Sequence, residues 1–330
     1  MTLLNHLSIS RKFVSKESIE IEKVPSPFDV DLGAVLKNTI SSKLIISEYK
    51  KLGLNVERFF EGVKSVGIYE CPLTKYRFYH PKPIIGDDVF YEDLQKMQDG
   101  YYVEKRSEYD IVLNKLEQGE KVLEVGCGDG VFLEKLRDKN IEAIGLEFNG
   151  LAVEKCLAKG LKVLKEPIEN FASENLERFD TVVLFQVLEH IYDVKSFIQS
   201  LLSCLKKGGK LIFAVPDNSP YYQNFRMHLT LNLPPHHMGL WNAESFKNLE
   251  KVFDVSLVSI DYDDDYGSFP KYVYFMGDLL LTRFETIYNR AFLRNLFIVL
   301  LTPYTSIVTL KMKFESKLRP HSIVATFVRS

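Results

Sequence analysis

The chain has 330 residues, 46% of them hydrophobic, and a formal net charge of -2 at pH 7. That length allows one large domain or a domain with appendages, and the balanced charge excludes broad nucleic-acid binding, which rests on clustered Lys and Arg facing phosphates. The four cysteines, Cys71, Cys127, Cys156 and Cys204, are scattered and form no CxxC pair, so no disulfide framework and no zinc site is expected, and a reducing cytoplasm is.

The apolar stretch from Leu3 to Leu7 is too short for a signal peptide, and its basic residues come after it. Residues up to about 30 read as irregular, with Pro25 and Pro27 breaking any helix. From Leu32 to about Phe60, Ile40, Leu44, Ile45, Tyr49 and Leu52 recur at helical spacing, which predicts one or two helices ended by Gly53. An aromatic-rich stretch follows from Tyr69 to Tyr102, and its rings are expected to cover a sheet edge. Tyr101, Tyr102 and Arg106 are the candidates for a lid, because a guanidinium pairs well with a ligand carboxylate. Residues 1–105 are thus expected to form a helical, aromatic-rich extension, followed by one domain over 106–330.

The most informative stretch is Val122 to Gly130, VLEVGCGDG. Val122, Leu123 and Val125 suit a strand buried on both faces of a parallel sheet, and Val131 to Arg137 carries apolar residues at helical spacing directly after the loop. The unit reads as strand, tight glycine turn, helix, with glycine giving dihedrals and a close approach that a Cβ would forbid. Gly126, Gly128 and Gly130 read GxGxG rather than the GxGxxG of a dinucleotide loop, and Glu124 would repel a pyrophosphate. A carboxylate suits a cation, and S-adenosylmethionine carries an ammonium and a sulfonium and no phosphate. Ile141 to Phe148 reads as a second strand ending in Glu147, about twenty residues past the first glycine, where an acid holds ribose hydroxyls. A dinucleotide oxidoreductase is correspondingly disfavoured.

Phe179 to Phe185 is a third apolar run, followed by Gln186 to His190, a helix over Asp193 to Leu205, a turn at Lys206 to Gly209, and a strand over Lys210 to Pro216. Taken in order, VLEVGCGDG, IGLEFN, FDTVVLFQVLEHIYD and LKKGGKLIFAVPD resemble the class I S-adenosylmethionine-dependent methyltransferases, in particular the small-molecule branch with ubiquinone-type and sugar methyltransferases. The resemblance covers Lys121 to Asp217 and implies a three-layer, Rossmann-like α/β fold with a mostly parallel seven-stranded sheet whose last strand is antiparallel. It places Glu124, Gly126, Cys127 and Gly128 around the methionine part of the cofactor, Glu147 on the ribose and Phe148 beside the adenine. Pro167 stands where many relatives carry an adenine-binding aspartate, leaving Ile168 and Glu169 as the adenine-side candidates. Phe185, Gln186 and Val187 would meet the amino and sulfonium end, and His190 is read as a locally packed residue at a helix start.

The segment from Asn218 to Trp241 is long for a connection and carries LPPHHM. Loops after the carboxyl ends of parallel strands are where such sheets hold ligands, and transfer to a hydroxyl needs alignment and removal of a proton. His236 and His237 are therefore the candidate general bases, against a plainer reading as loop histidines bonded to backbone. Ala243 to Val252 reads as a helix and Phe253 to Asp261 and His321 to Arg329 as strands, which the resemblance implies are the antiparallel pair closing one edge of the sheet. Tyr262 to Pro320 then stands as an insertion with a helix over Leu281 to Leu301. Its apolar run from Leu296 to Leu310, interrupted by Pro303, is too short to span a membrane but could lie on one. The expected activity is methylation of a hydroxyl on a sugar, glycan intermediate or other small molecule. A lipid or quinone-like acceptor is the enzymatic alternative, and a non-catalytic cofactor-binding scaffold is the alternative of another class.

Overall fold

The computed structural model describes residues 24–97, 106–219, 230–262, 291–314 and 322–330. The chain divides into two compact units, Met1–Asp261 with Ile323–Ser330, and Tyr262–Ser322. In the first unit a ribbon of β1 (Pro25–Ser26) and β2 (Asp29–Gly33) leads into β3 (Val35–Ser41), α1 (Ser42–Lys51), β4 (Ser65–Glu70), β5 (Arg77–His80) and α2 (Asp88–Met97). The helix predicted around Ile45 and Tyr49 is α1, which turns both residues into the core. The extension as a whole is not the helical body expected, because β3, β4 and β5 form an antiparallel sheet around that helix. Val35–Ser41 carries Val, Leu, Thr and Ile, whose branched and apolar side chains suit a pleated surface, and Ile40, Leu44 and Ile45 straddle the strand-to-helix junction. One apparent helical period therefore joins residues of two elements.

After α3 (Ser107–Leu113) the chain alternates strand and helix: β6 (Lys121–Val125), α4 (Val131–Asp138), β7 (Glu142–Leu146), α5 (Gly150–Ala158), β8 (Val163–Leu164), α6 (Ile168–Glu174), β9 (Phe179–Phe185), α7 (Val194–Cys204) and β10 (Leu205–Pro216). β11 (Gly239–Leu240), α8 (Ala243–Lys247) and β12 (Val255–Tyr262) come next, and β13 (Ser322–Arg329) ends the chain after α9 (Ala291–Phe314) of the second unit. The large sheet has the order β12-β13-β10-β9-β6-β7-β8, with β10, β9, β6, β7 and β8 parallel and the late strands antiparallel. Alternation of strand and helix with right-handed crossovers forces this layered arrangement. Val122, Val183, Ile212 and Val324 pack on one sheet face with Phe132 and Leu136 of α4, each residue fully buried. Such burial contributes roughly 1.5–3 kcal/mol per large aliphatic side chain.

Two local differences from the sequence reading have plain causes. Lys206–Gly209, expected as a turn ahead of the strand, is a bulge inside β10: Leu205 pairs with Phe179 and Lys210 with Thr181, and Gly208 takes φ 75° to loop the extra residues out. The helix expected over Ala243 to Val252 stops at Lys247 and tightens into a 3₁₀ turn over Asn248–Lys251.

The second unit is described through α9. Pro303 lies within it, and Val299, Leu300, Tyr304 and Ile307 are exposed along it. Among the described residues no helix is long and apolar enough to cross a membrane. Of the helix expected over Leu281 to Leu301, the part before Ala291 lies outside the described residues.

Candidate active site

The C-terminal ends of β6, β7 and β9 open onto a cavity of about 580 Å³, within the roughly 300–1,000 Å³ common for small-molecule sites. Its first wall is the glycine turn after β6. Gly126 sits at φ 77°, and a Cβ there would lie 2.4 Å from Val187 Cγ2, so only glycine lets β6 and the β9 turn approach this closely. Gly128 and Gly130 also take positive φ, and Gly130 caps α4 against Leu161 and Cys156. Cys156, read from sequence as a small core residue, lies with its thiol 3.3 Å from the Gly128 carbonyl, bracing the turn from behind.

Two carboxylates frame that turn. Glu147 accepts the Gly128 N–H at 2.8 Å with one oxygen and the Asn149 N–H at 2.8 Å with the other. A carboxylate offers about four lone-pair sites, so this anchoring leaves room for a ligand's paired hydroxyls. Glu124 is 2% exposed, and its Oε2 has no hydrogen-bond partner. Burial pushes its pKa well above the usual carboxylate range, helped by Cys156 and Glu147 and opposed by Arg106. A buried carboxylate in this state favours an incoming cation.

The residues singled out from sequence gather here in unequal measure. Gly126, Cys127, Gly128, Phe148, Ile168 and Arg106 line the cavity with the two acids, as do Phe185, Gln186 and Val187 from the β9 turn. Gln186 adopts φ 56° there, its N–H donating to the Ala214 carbonyl at 2.8 Å and its side chain donating to Glu108 at 3.3 Å. Glu169 is exposed on α6 and does not line the cavity, where Lys165 and Glu166 stand instead. The helix starting at Ile168 turns that residue inward and its successor outward. Tyr101 and Tyr102 lie outside the described residues.

His236 and His237 line the opposite end, together with His190, Tyr91 and Glu189. Their loop is held by the N-terminal extension: Tyr49 Oη donates to the Leu233 carbonyl at 2.8 Å, Tyr79 Oη to the Asn232 carbonyl at 3.0 Å, and the Gly86 N–H to the Pro235 carbonyl at 3.0 Å. β11 then joins the antiparallel sheet as its fourth strand, pairing Gly239 with Phe78 and Leu240 with Arg77. The His236 and His237 N–H groups both point at the Leu233 carbonyl, a tight turn that swings two adjacent rings to one side. The rings stack at 4.5 Å, and His190 meets them at 4.7 and 4.9 Å. Burial lowers the His236 pKa to about 3, with a contribution from His190, and the His190 pKa to about 4, partly offset by the His236 and Gln186 carbonyls, so both rings are neutral imidazoles at neutral pH. Asp88, Glu92 and Glu189 add acidity at this end, while Arg106 and Lys165 are the cations of the lining.

Sequence reasoning treated His190 as a local packing residue and passed over Tyr91, which donates to the His236 carbonyl at 3.2 Å. The signal for both was the PPHH element itself, since adjacent histidines in a buried turn need polar neighbours.

Residues 98–260 match the family model of a methyltransferase domain. Residues 98–260 are thus a methyltransferase domain, of the class I S-adenosylmethionine-dependent kind. The domain is similar to the ubiquinone biosynthesis O-methyltransferase of Vibrio vulnificus strain YJ016, at 34% identity over 113 residues, covering 32% of this chain and 48% of that protein. It is also similar to the protein of the same name from Proteus mirabilis strain HI4320, at 33% identity over 102 residues, covering 29% and 42%. The chain thus spans about half the length of the curated relatives it matches. A SAM dependent methyltransferase structure from Archaeoglobus fulgidus aligns with 74% of this chain and all of its own, at 17% identity and a TM-score of 0.47. The cofactor of the class I methyltransferases is S-adenosylmethionine. The methyltransferase cradle fits it: the orphaned Glu124 oxygen suits its cationic end, Glu147 its ribose, and the Gly126 turn leaves no Cβ in the way.

Proposed function

We propose that the protein methylates a hydroxyl oxygen of a small molecule, such as a sugar or glycan intermediate, using S-adenosylmethionine. The observation that carries this reading is one cavity with a cation-seeking, glycine-lined cradle at one end and neutral, buried histidines at the other. Bound in the cradle, the cofactor supplies an electrophilic methyl group. This chain's residues then align donor and acceptor and deal with the hydroxyl proton. Glu124, with Gly126, Cys127 and Gly128, holds the cofactor's amino acid end, Glu147 its ribose, and Phe148 and Ile168 the adenine. Phe185, Gln186 and Val187 border the path toward the acceptor. His236 and His237 activate the acceptor hydroxyl, in the simplest form as general base, with the Asn232 amide oxygen 3.1 Å from His237 Nδ1 fixing that ring's orientation. Arg106, at the boundary, pairs with the cofactor carboxylate or an acidic acceptor. The setting is cytoplasmic.

A lipid or quinone-like acceptor is the second reading. It is favoured by the exposed apolar residues Val299, Leu300, Tyr304 and Ile307 of α9, suited to an interfacial contact, and by the similarity to O-methyltransferases of ubiquinone biosynthesis.

The test is calorimetric titration with S-adenosylmethionine, followed by an acceptor screen with labelled methyl. Micromolar binding, about 8 kcal/mol, and transfer to a hydroxyl that is lost in His236→Ala and His237→Ala while cofactor binding persists are expected. Full activity in both variants would remove the histidines from the reaction, and cofactor binding without transfer to any acceptor would favour a scaffold.

A further inference from the structure

His190 and the His236–His237 pair are 46 residues apart in the chain, yet one ring nitrogen from each lies within 4.8 Å of the other two. Each ring's Nδ1 faces a carbonyl-type oxygen, and His190 Nδ1 also has the Tyr91 hydroxyl at 3.3 Å. His236 Nδ1 is 2.8 Å from the Leu231 carbonyl, His237 Nδ1 is 3.1 Å from Asn232 Oδ1, and His190 Nδ1 is 2.7 Å from the His236 carbonyl. In a neutral imidazole the ring nitrogen that donates carries the hydrogen, and Nε2 is then the nitrogen with the lone pair. Nδ1–H given to a carbonyl is how metal-bound histidines are oriented by their outer neighbours. We propose that His190, His236 and His237 form a three-imidazole site for one divalent transition-metal ion of the zinc type, with its open position toward the cavity.

Two facts bear on the proposal independently of the hydrogen bonds. Imidazole ligands select zinc-like ions over magnesium or calcium, and three protein ligands plus an open position is the arrangement of catalytic rather than structural zinc. The surrounding carboxylates of Asp88, Glu92 and Glu189 give that end of the cavity a field that draws cations. Three nitrogens at about 2.1 Å from a tetrahedral ion stand about 3.4 Å apart, so binding draws the rings together from their 4.8 Å spread. The Gln186 carbonyl also hydrogen-bonds the His190 ring, so ligation by His190 has to compete with that bond.

The catalytic use of such an ion rests on the hydroxyl-transfer reading above. An acceptor hydroxyl held against the ion has its pKa lowered, so its proton passes to solvent. The oxygen–methyl bond then forms as the sulfonium–methyl bond breaks, leaving a neutral thioether. In this form the histidines serve as ligands, and no weakly basic imidazole has to take the proton.

The test uses the full chain, stripped with chelator and titrated with Zn²⁺ by calorimetry and with Co²⁺ by visible absorption. One ion per chain is expected, with Zn²⁺ affinity falling at least 100-fold in the His236→Gln, His237→Gln double variant. Asn232→Ala, which removes the oxygen facing His237, is expected to cost 10–100-fold in affinity. Retained S-adenosylmethionine binding in each variant certifies the fold. Wild-type Zn²⁺ binding no tighter than that of the double variant would overturn the site and leave the hydroxyl-transfer reading intact. Stoichiometric binding in a protein that methylates no hydroxyl would uphold the site and sink that reading instead.

Discussion

The two ends of the cavity are built by opposite means. At the cofactor end, Glu124 through Gly130 supply an acid, a backbone cradle and a helix start within a single strand-turn-helix, and the residue that completes it, Glu147, comes from the next strand. At the histidine end no continuous stretch suffices: His190 follows β9, His236 and His237 follow β10, and the residues steadying them, Tyr49, Tyr79 and Tyr91, come from the N-terminal extension. A local site is fixed by backbone geometry, whereas an assembled site depends on long-range packing. Mutations should therefore separate the two.

The sharpest break is expected at Glu147. Its carboxylate secures the Gly128 and Asn149 N–H groups as well as a ligand, so Glu147→Ala should weaken cofactor binding by about 100-fold or more, at roughly 1.5–3 kcal/mol per charged hydrogen bond lost. Calorimetry would check this, and an affinity within threefold of wild type would contradict the cradle described. Next comes the linkage between Glu124 and pH. Burial raises this group's pKa in the free protein, and an incoming cation favours its ionised form. Binding should then release a proton, and affinity should rise as pH climbs through the raised value. Titrations in buffers of different ionisation enthalpy would measure the released proton, which Glu124→Gln should abolish.

The histidine end should respond differently. Tyr49→Phe removes the bond to the Leu233 carbonyl and should cost about 1 kcal/mol of stability. It should slow transfer by loosening the histidine loop while leaving the cofactor Kd unchanged. A parallel fall in cofactor affinity would mean that the two ends are not separable. The smallest effect belongs to Asp180, far from both. Burial would raise its pKa, but bonds from Lys206 and the Lys121 N–H outweigh this and hold it below the ordinary carboxylate value. Its contribution is present above the unfolded value near 4 and is lost as pH falls through the folded one. Asp180→Asn should cost less than about 1 kcal/mol at pH 7 and nothing in strong acid, as measured by urea unfolding.

The same contrast explains what could be read from sequence. The large sheet, its helices and most of the cradle were legible because each motif is contiguous and each glycine answers a local backbone need, as Gly126 shows at φ 77°. Glu169 was misplaced by one helical step, because a cap at Pro167 does not by itself reveal which way the first turn faces. The antiparallel sheet was read as helix because Ile40, Leu44 and Ile45 keep a helical period across an element boundary. His190 was read as a locally packed residue because its partners are brought to it by β11, a two-residue strand that no periodicity announces.

That short strand sets the unit in which this fold can change its substrate. β11 completes a sheet otherwise made from residues 35–80, and Arg77 of β5 reaches on to the Asn218 carbonyl at the root of the same loop. A loop grafted alone from another relative would leave the Phe78 edge without its partner and the Arg77 guanidinium buried without an acceptor. Extension and loop therefore form one structural unit, and an engineered exchange of the loop would have to carry residues 35–80 with it while the glycine cradle stays as it is.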